Sequence, residues 1–507
     1  MKMVKSLILG SAAGLIAVSG AQAADLPVKA KAVEYVKICS LYGAGFYYIP
    51  GTDTCIKLGG YLRVETALGT NSVYTGNTSG LAGANNRLSN YFTTRSREDL
   101  NIDTRTATEY GVVRTYFDAT FTWTSGGYAG SGTTAYDSAP AGTNGNGSVA
   151  GGSLGMYYAF IQFAGFTMGK AVSQFSAPWV NYPGNNYDGL VGGGGTVTGV
   201  NQFSYTAQFG NGVSGTLSAQ EQTQYYQAGV NNLGTPGVFG YGTSDYGGTR
   251  APDLVAMLRV DQAWGLFQAS VAAHNNHVGY YTALGEPSGH PADKWGWAGQ
   301  LALSIKNIPT GAGDTINIQG VYTNGATRYN IQDLAGAAGA STVYGGTGLA
   351  GAYQSLGIGF APDSVFAVGG DQQLVTTWGM RGAYTHNWDP YWNSAIYGAY
   401  AAVSYNDTAK TLMCGVAGVG GTVRTALGAG LTSCNPDYNI AQLGLITRWT
   451  PVKGLTFSAD FTYTNIDQKY AGTTGAGASA AVAKPVAVYE LKDQNTYQML
   501  LRAQRNW

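Results

Sequence analysis

The sequence predicts an all-β fold, a transmembrane antiparallel β-barrel of about sixteen strands, and three observations lead there. Apolar and polar residues alternate with period two along the whole chain. The polar partners in that alternation are mostly Gln, Ser and Thr. No stretch beyond the amino-terminal segment reaches the roughly 18 consecutive apolar residues of a membrane-spanning helix.

The amino terminus accounts for export. Lys2 and Lys5 precede the apolar run from Leu7 to Val18 and the small-residue site Ala21-Gln22-Ala23, which predicts a signal peptide over residues 1–23, cut between Ala23 and Ala24. Residues 24–54 follow as a leader segment containing Cys39, and residues 55–507 as one barrel domain. The four cysteines allow three pairings, but Cys39 lies near Cys55 and Cys414 near Cys434, which favours two local disulfides in an exported chain. Metal binding is the weaker reading: there is no C-x-x-C, and no His stands beside them.

The first strand shows the alternation clearly. In CIKLGGYLRVE, residues 55 to 65, Ile56, Leu58, Leu62 and Val64 fall on one face and Lys57, Tyr61, Arg63 and Glu65 on the other. A soluble sheet would sink the apolar face in a core, whereas a membrane barrel turns it to lipid and gives the charged face a wet lumen. VVRTYFDATFTW repeats the pattern, with Val113, Phe117, Ala119, Phe121 and Trp123 opposite Arg114, Tyr116, Asp118 and Thr120. NQFSYTAQFGNGVSGTLSAQ is a hairpin about a Gly-Asn-Gly turn, with Phe203, Tyr205, Phe209 and Leu217 outward and Gln, Ser and Thr inward. That polar face decides between the two folds, because a hydroxyl or amide buried without a partner costs roughly 1 to 3 kcal/mol in a dry core and little against water.

The connections alternate in length. Tight turns at Glu109 to Gly111, Ala164-Gly165, Gly210 to Gly212, Trp264-Gly265, Asp389-Pro390 and Val452 to Gly454 alternate with stretches rich in Gly, Ser, Thr and Asn. Residues 124–152, 222–250, 327–372, 406–438 and 468–493 are therefore expected to be outer loops. Trp123, Trp295, Trp297, Trp388, Trp449 and Trp507 stand at or near strand ends, where aromatic girdles meet the membrane interfaces.

Composition excludes some functions. Only 11% of the 507 residues are charged. Losing Lys2 and Lys5 with the signal leaves 26 basic against 28 acidic residues, no surplus for a nucleic acid. GGSLG, Gly151 to Gly155, matches a nucleophile elbow but runs from a loop into a strand, and GTGLAG, Gly346 to Gly351, matches a phosphate loop with no helix after it. His274 and His277 lack a third ligand nearby, and Glu98 and Asp99 point to opposite faces of one strand. No active site and no cofactor are expected. An outer-membrane barrel enzyme, such as a protease or phospholipase, would need a Ser, His and acid cluster at the loop ends; a surface adhesin would need a plugged lumen.

What the inward face does carry is charge. Lys57, Arg63, Arg95, Arg97, Arg105 and Arg114 share that face on the first three strands, a basic wall suited to polarising passing solutes. A lumen about sixteen strands wide needs narrowing. The candidate is residues 172–199, which combine Phe175, Trp179 and Tyr182 with Asp188 as their only charge.

AVEYVKICSLYGAGFYYIPGTDTCIKLGGYLRVE, residues 32 to 65, together with TATEYGVVRTY, AFIQFAGFTMGK, PDLVAMLRVDQAWG and the terminal strand, resembles the alphaproteobacterial general porins. The resemblance implies a trimeric outer-membrane channel of sixteen strands with a constricting third loop, residues 172–199, passing small hydrophilic solutes and ions by diffusion. The chain departs from that pattern in ending on Trp507 where such proteins usually end on Phe.

Overall fold

A computed structural model describes residues 37–69, 92–124, 153–195, 197–221, 227–235, 237–332, 342–345, 355–416, 420–475 and 488–507. The signal segment, its cut between Ala23 and Ala24, and the GTGLAG stretch lie outside these residues. The chain clusters into two compact units, Met1–Lys57 and Leu58–Trp507.

In the first unit, Tyr47–Tyr48 pairs with Cys55 and Ile56, and a disulfide joins Cys39 to Cys55 with their Cα atoms 6.0 Å apart. Both cysteines are buried, with Phe46 packed beside them.

The barrel is a closed sheet, of which all but the first three residues of its first strand belong to the second unit. Its strands are β1 Cys55–Gly69, β2 Phe92–Thr108, β3 Gly111–Thr124, β4 Ser153–Phe163, β5 Phe166–Ala171, β6 Val200–Gly210, β7 Val213–Gln220, β8 Asp253–Gln262, β9 Gly265–Asn276, β10 Lys294–Lys306, β11 Thr315–Asn324, β12 Thr376–Asn387, β13 Trp392–Ser404, β14 Tyr438–Val452, β15 Leu455–Gln468 and β16 Gln494–Asn506. Each pairs with the next, and β16 pairs antiparallel with β1 from Tyr61 opposite Asn506 to Gly69 opposite Gln498, which leaves the barrel wall no free edge. Two- to four-residue turns close the hairpins at one end, except before β11, where residues 307–314 form a longer one. The β6–β7 turn needs left-handed backbone at three successive positions, Gly210, Asn211 and Gly212, which Gly and Asn supply with little strain.

The strand faces sort as the alternation predicts. Outward side chains are apolar and exposed, as at Leu62 (52%), Phe121 (53%), Leu217 (70%) and Leu443 (56%). Their inward neighbours Gln202, Ser218, Gln268, Gln319 and Gln442 are buried beneath chain folded into the lumen. Trp392, Trp449 and Phe457 stack side by side near the short turns, an aromatic girdle at one rim.

The long connections are more ordered than low-complexity loops would be. Residues 406–438 hold two short helices, α1 Asp407–Cys414 and α2 Thr422–Leu427, with Asn406 capping α1 by accepting from the Ala409 amide at 2.8 Å. A second disulfide joins Cys414 to Cys434, Cα atoms 5.5 Å apart. Segments of different loops also pair with one another: Ser355–Gly359 runs parallel to Tyr489–Leu491, and Ser364–Phe366 runs parallel to Val230–Asn232. The loops thus share one apolar core in which Phe239, Tyr241, Leu356, Phe360, Met413, Val423 and Tyr438 are all buried.

Candidate functional site

Residues 172–195 and 197–199 run along the inside of the barrel wall, held strand by strand. Ser173 donates to Gln220 at 2.7 Å, and the Phe175 carbonyl accepts from Gln300 at 2.8 Å. Trp179 Nε1 donates to Gln319 at 2.6 Å, and Arg381 donates to the carbonyls of Val180 (2.5 Å) and Leu190 (3.2 Å). Further on, Arg448 donates to the Gly184 carbonyl at 2.7 Å, and Gln442 both donates to Gly189 and accepts from Val191. Asp460 accepts from the amides of Asn186 (2.6 Å) and Tyr187 (3.0 Å). Phe175 packs in a buried cluster with Val255, Val321 and Tyr329, so the segment's apolar groups meet inward apolar groups of the wall.

With Gln202 accepting from Gln174, and Gln268 and Arg502 donating to the carbonyls of Ser176 and Asn186, the contacts fall on the inner faces of β6–β12 and β14–β16. At the far end the segment meets β4, where Tyr158 Oη donates to the Val197 carbonyl at 2.6 Å. On the inner face of β1–β4, Arg63, Arg97, Arg114, Tyr116 and Tyr158 keep part of their surface exposed, while Glu65, Arg95, Asp99 and Asp118 are buried. The segment's own charge, Asp188, accepts from Tyr182 Oη at 2.6 Å and lies within electrostatic range of Tyr157 on that wall.

The wall of β1–β4 holds the early basic residues, but in a different company from the one expected of a basic wall. Glu65 accepts from Arg95 Nε and from Arg502 Nε, both at 2.5 Å, and lies 3.9 Å from Arg63. Asp103 is paired with both Arg105 and Arg114, each at 2.9 Å. The wall is thus a ladder of arginines with carboxylates interleaved, which answers the repulsion that a run of like charges would suffer. Arg95 is 1% exposed, with its guanidinium held against Glu65. Arg63 also donates to Gln504 at 2.8 Å and lies over the Tyr61 ring, Arg97 donates to Thr122 at 2.9 Å, and Arg114 donates to Gln162 at 3.0 Å. Lys57 belongs to the first unit, where its ammonium lies 5.9 Å from the Phe46 ring centre.

Sequence reasoning missed the later inward charges Arg381, Arg448, Asp460 and Arg502. The same parity would have found them: Met380, Leu445, Phe461 and Leu501 are exposed outward, and each charge sits an odd number of positions from the one on its own strand. Asp460 depends on a cavity that parity does not show. Tyr397 reaches it across Gly444, where a Cβ would sit 2.0 Å from the tyrosine ring.

His274 is fully buried between Asp253 (2.9 Å) and Asp363 (3.4 Å), with Tyr246 donating to Asp363 and Tyr329 to Asp253. His277 pairs with Asp293 at 2.8 Å. His274 ties Asp363 of a long loop to the wall, His277 joins the two ends of the β9–β10 connection, and no cluster of three His, Cys, Asp or Glu suited to a metal occurs among the described residues.

A family model described as "Porin subfamily" matches residues 25–500. "Porin Omp2b" of Brucella canis is 34% identical over 283 residues, covering 55% of this chain and 68% of the relative. "Porin Omp2b" of Brucella melitensis biotype 1 is 33% identical over the same length. Among solved structures, the outer membrane channel DcaP of Acinetobacter baumannii matches with a TM-score of 0.55 at 15% identity, covering 91% of this chain and 99% of that one, a likeness of fold.

Proposed function

The chain belongs to the porin family, an outer-membrane β-barrel through which solutes diffuse passively, and from that premise we propose that its selectivity arises between residues 172–199 and the wall of β1–β4. Solutes pass by size and charge, without catalysis. The observation that carries this reading is the line of hydrogen bonds holding residues 172–199 to the inner wall from Gln220 round to Asp460, since a segment so held takes up lumen width at one level. Arg63, Arg97 and Arg114 then line one side of the narrow zone and Asp188 the other, and small hydrophilic solutes and ions cross between them.

The test is a planar bilayer recording. Purified protein should insert in discrete current steps, and Asp188→Asn should move the reversal potential toward anions, whereas Arg63→Gln with Arg114→Gln should move it toward cations. Absence of steps would sink the channel; steps with selectivity indifferent to all three residues would sink the placement of the filter.

We also propose a homotrimer. The outward face of β2 supports it: beside Leu100 and Ile102 it carries Ser96 and Glu98, which stand opposite Trp123 and Phe121 of β3. A carboxylate in the lipid band is costly, and a protein neighbour removes that cost. Glu98→Arg should shift the detergent-solubilised mass from trimer to monomer; a wild-type protein monomeric in mild detergent would contradict the proposal.

A further inference from the structure

The inner face of β6 and β7 is small and polar: Gln202, Ser204 and Thr206 on one strand, Thr216, Ser218 and Gln220 on the other. The inner face of β3 and β4 is aromatic. Tyr116 and Phe160 stand opposite each other in register, ring centres 5.3 Å apart and 26° from parallel. Tyr158 follows at 6.3 Å from Tyr116, and Tyr157 at 6.5 Å from Tyr158. All four rings are half-buried.

Two consecutive residues of a regular strand cannot share a face. Tyr157 and Tyr158 do so because the β3–β4 register slips between Asp118 and Ala119: Asp118 pairs with Tyr158, Ala119 with Met156, and Tyr157 is left as the extra residue of a bulge. Tyr157 lies near the inward Arg97, whose guanidinium carbon is 5.6 Å from its ring centre. Bulges of this kind re-aim a side chain at the expense of local pairing. Where apolar side chains elsewhere on the inner wall, such as Val255 and Val321, pack against Phe175, these rings keep part of their surface open.

The groups beside the rings are polar and of both signs. The Arg114 guanidinium carbon lies 5.1 Å from the Tyr116 ring centre and 5.5 Å from that of Phe160, Asp118 accepts from Tyr116 Oη at 3.4 Å, and Gln162 accepts from Arg114. An anionic solute would meet Asp118, and a cationic one Arg97 and Arg114. The surface suits a neutral solute with an apolar face and a rim of hydroxyls that both donate and accept. A pyranose ring has that shape: its C–H face lies on an aromatic ring, and its hydroxyls reach the planar side chains around it.

We infer that Tyr157, Tyr158, Tyr116 and Phe160 form a stacking track on which neutral pyranose sugars bind as they cross the lumen. The inference rests on the channel reading above and adds a binding step to it.

The experiment records ion current through single wild-type channels, with maltohexaose added and, separately, a polyethylene glycol of the same hydrodynamic size. Current steps before any addition report the channel itself, so its failure is separate from failure of the track. Maltohexaose should interrupt the current in resolved events whose frequency rises with its concentration, and the polymer should not. Tyr116→Ala with Phe160→Ser should shorten the events roughly tenfold or more, each channel's unblocked current serving as its reference, while Phe160→Tyr, which keeps the ring, should preserve them. Equal effects of sugar and polymer on the wild type would overturn the inference even if no variant folded, and so would events of unchanged duration in the double variant.

Discussion

Replacing Glu65 with Gln probes the charge ladder at its most connected point. Glu65 has a fully buried side chain and accepts from Arg95 and Arg502, with Arg63 at 3.9 Å. Gln keeps the shape and one acceptor oxygen but removes the negative charge facing three guanidiniums. Breaking a buried ion pair by neutralising one partner costs about 3 to 5 kcal/mol. Here Arg95 is sealed at 1% side-chain exposure, while Arg63 and Arg502 keep 15% and 10% and recover some hydration from the lumen. The expected loss is therefore at the low end, roughly 3 kcal/mol. Urea unfolding from lipid vesicles, followed by tryptophan fluorescence, measures it. The same substitution leaves the wall more positive, so the reversal potential should move toward anions. A loss under about 1 kcal/mol together with unchanged selectivity would show that the carboxylate does not organise the wall.

Other substitutions test the remaining parts. Leu62→Arg puts a charge on the lipid face, at a position 52% exposed, and should lower barrel stability by about 2 to 4 kcal/mol if that depth is near the midplane; equal stability would refute the outward assignment. Arg381→Ala removes the donors to Val180 and Leu190 and should make residues 172–199 mobile, seen as larger, noisier single-channel current; an unchanged trace would show the segment is held elsewhere. Cys414→Ser with Cys434→Ser should release α1 and α2, at a cost of about 3 kcal/mol to that loop, and expose Lys410 and Arg424 to trypsin; unchanged protease resistance would show the disulfide is dispensable.

Much of the fold is visible in the sequence because a strand facing water on one side and lipid on the other leaves a period of two in every residue. Leu62 and Arg63 already stand on opposite faces in the linear chain, and the tight turns stand where Gly, Asn and Pro cluster. The interior of the lumen is less visible because it is built from distant partners. Glu65 meets Arg502 across 437 residues, and Asn186 meets Asp460 across 274, which no local pattern foretells. A basic wall is what Arg63, Arg95, Arg97 and Arg114 suggest when Glu65 and Asp103 are counted only as neighbours in sequence. The helices in residues 406–438 were hidden for another reason: α1 and α2 are short, and their support comes from buried contacts of Met413 and Val423 with other loops and not from helix propensity. The bulge at Tyr157 is a one-residue slip, and a strict alternation count passes over it.

The central claim is that one face of these strands lines a water-filled lumen and the other meets the membrane. Since all four native cysteines are in disulfides, a single new thiol can report on it. Arg63→Cys and Leu62→Cys place that thiol on adjacent residues of β1. With a negatively charged methanethiosulfonate added to the aqueous phase during bilayer recording, the Arg63→Cys channel should react and its current should step down, while the Leu62→Cys channel should carry the same current before and after. Reaction at Leu62→Cys with none at Arg63→Cys would turn the strand inside out and contradict the account.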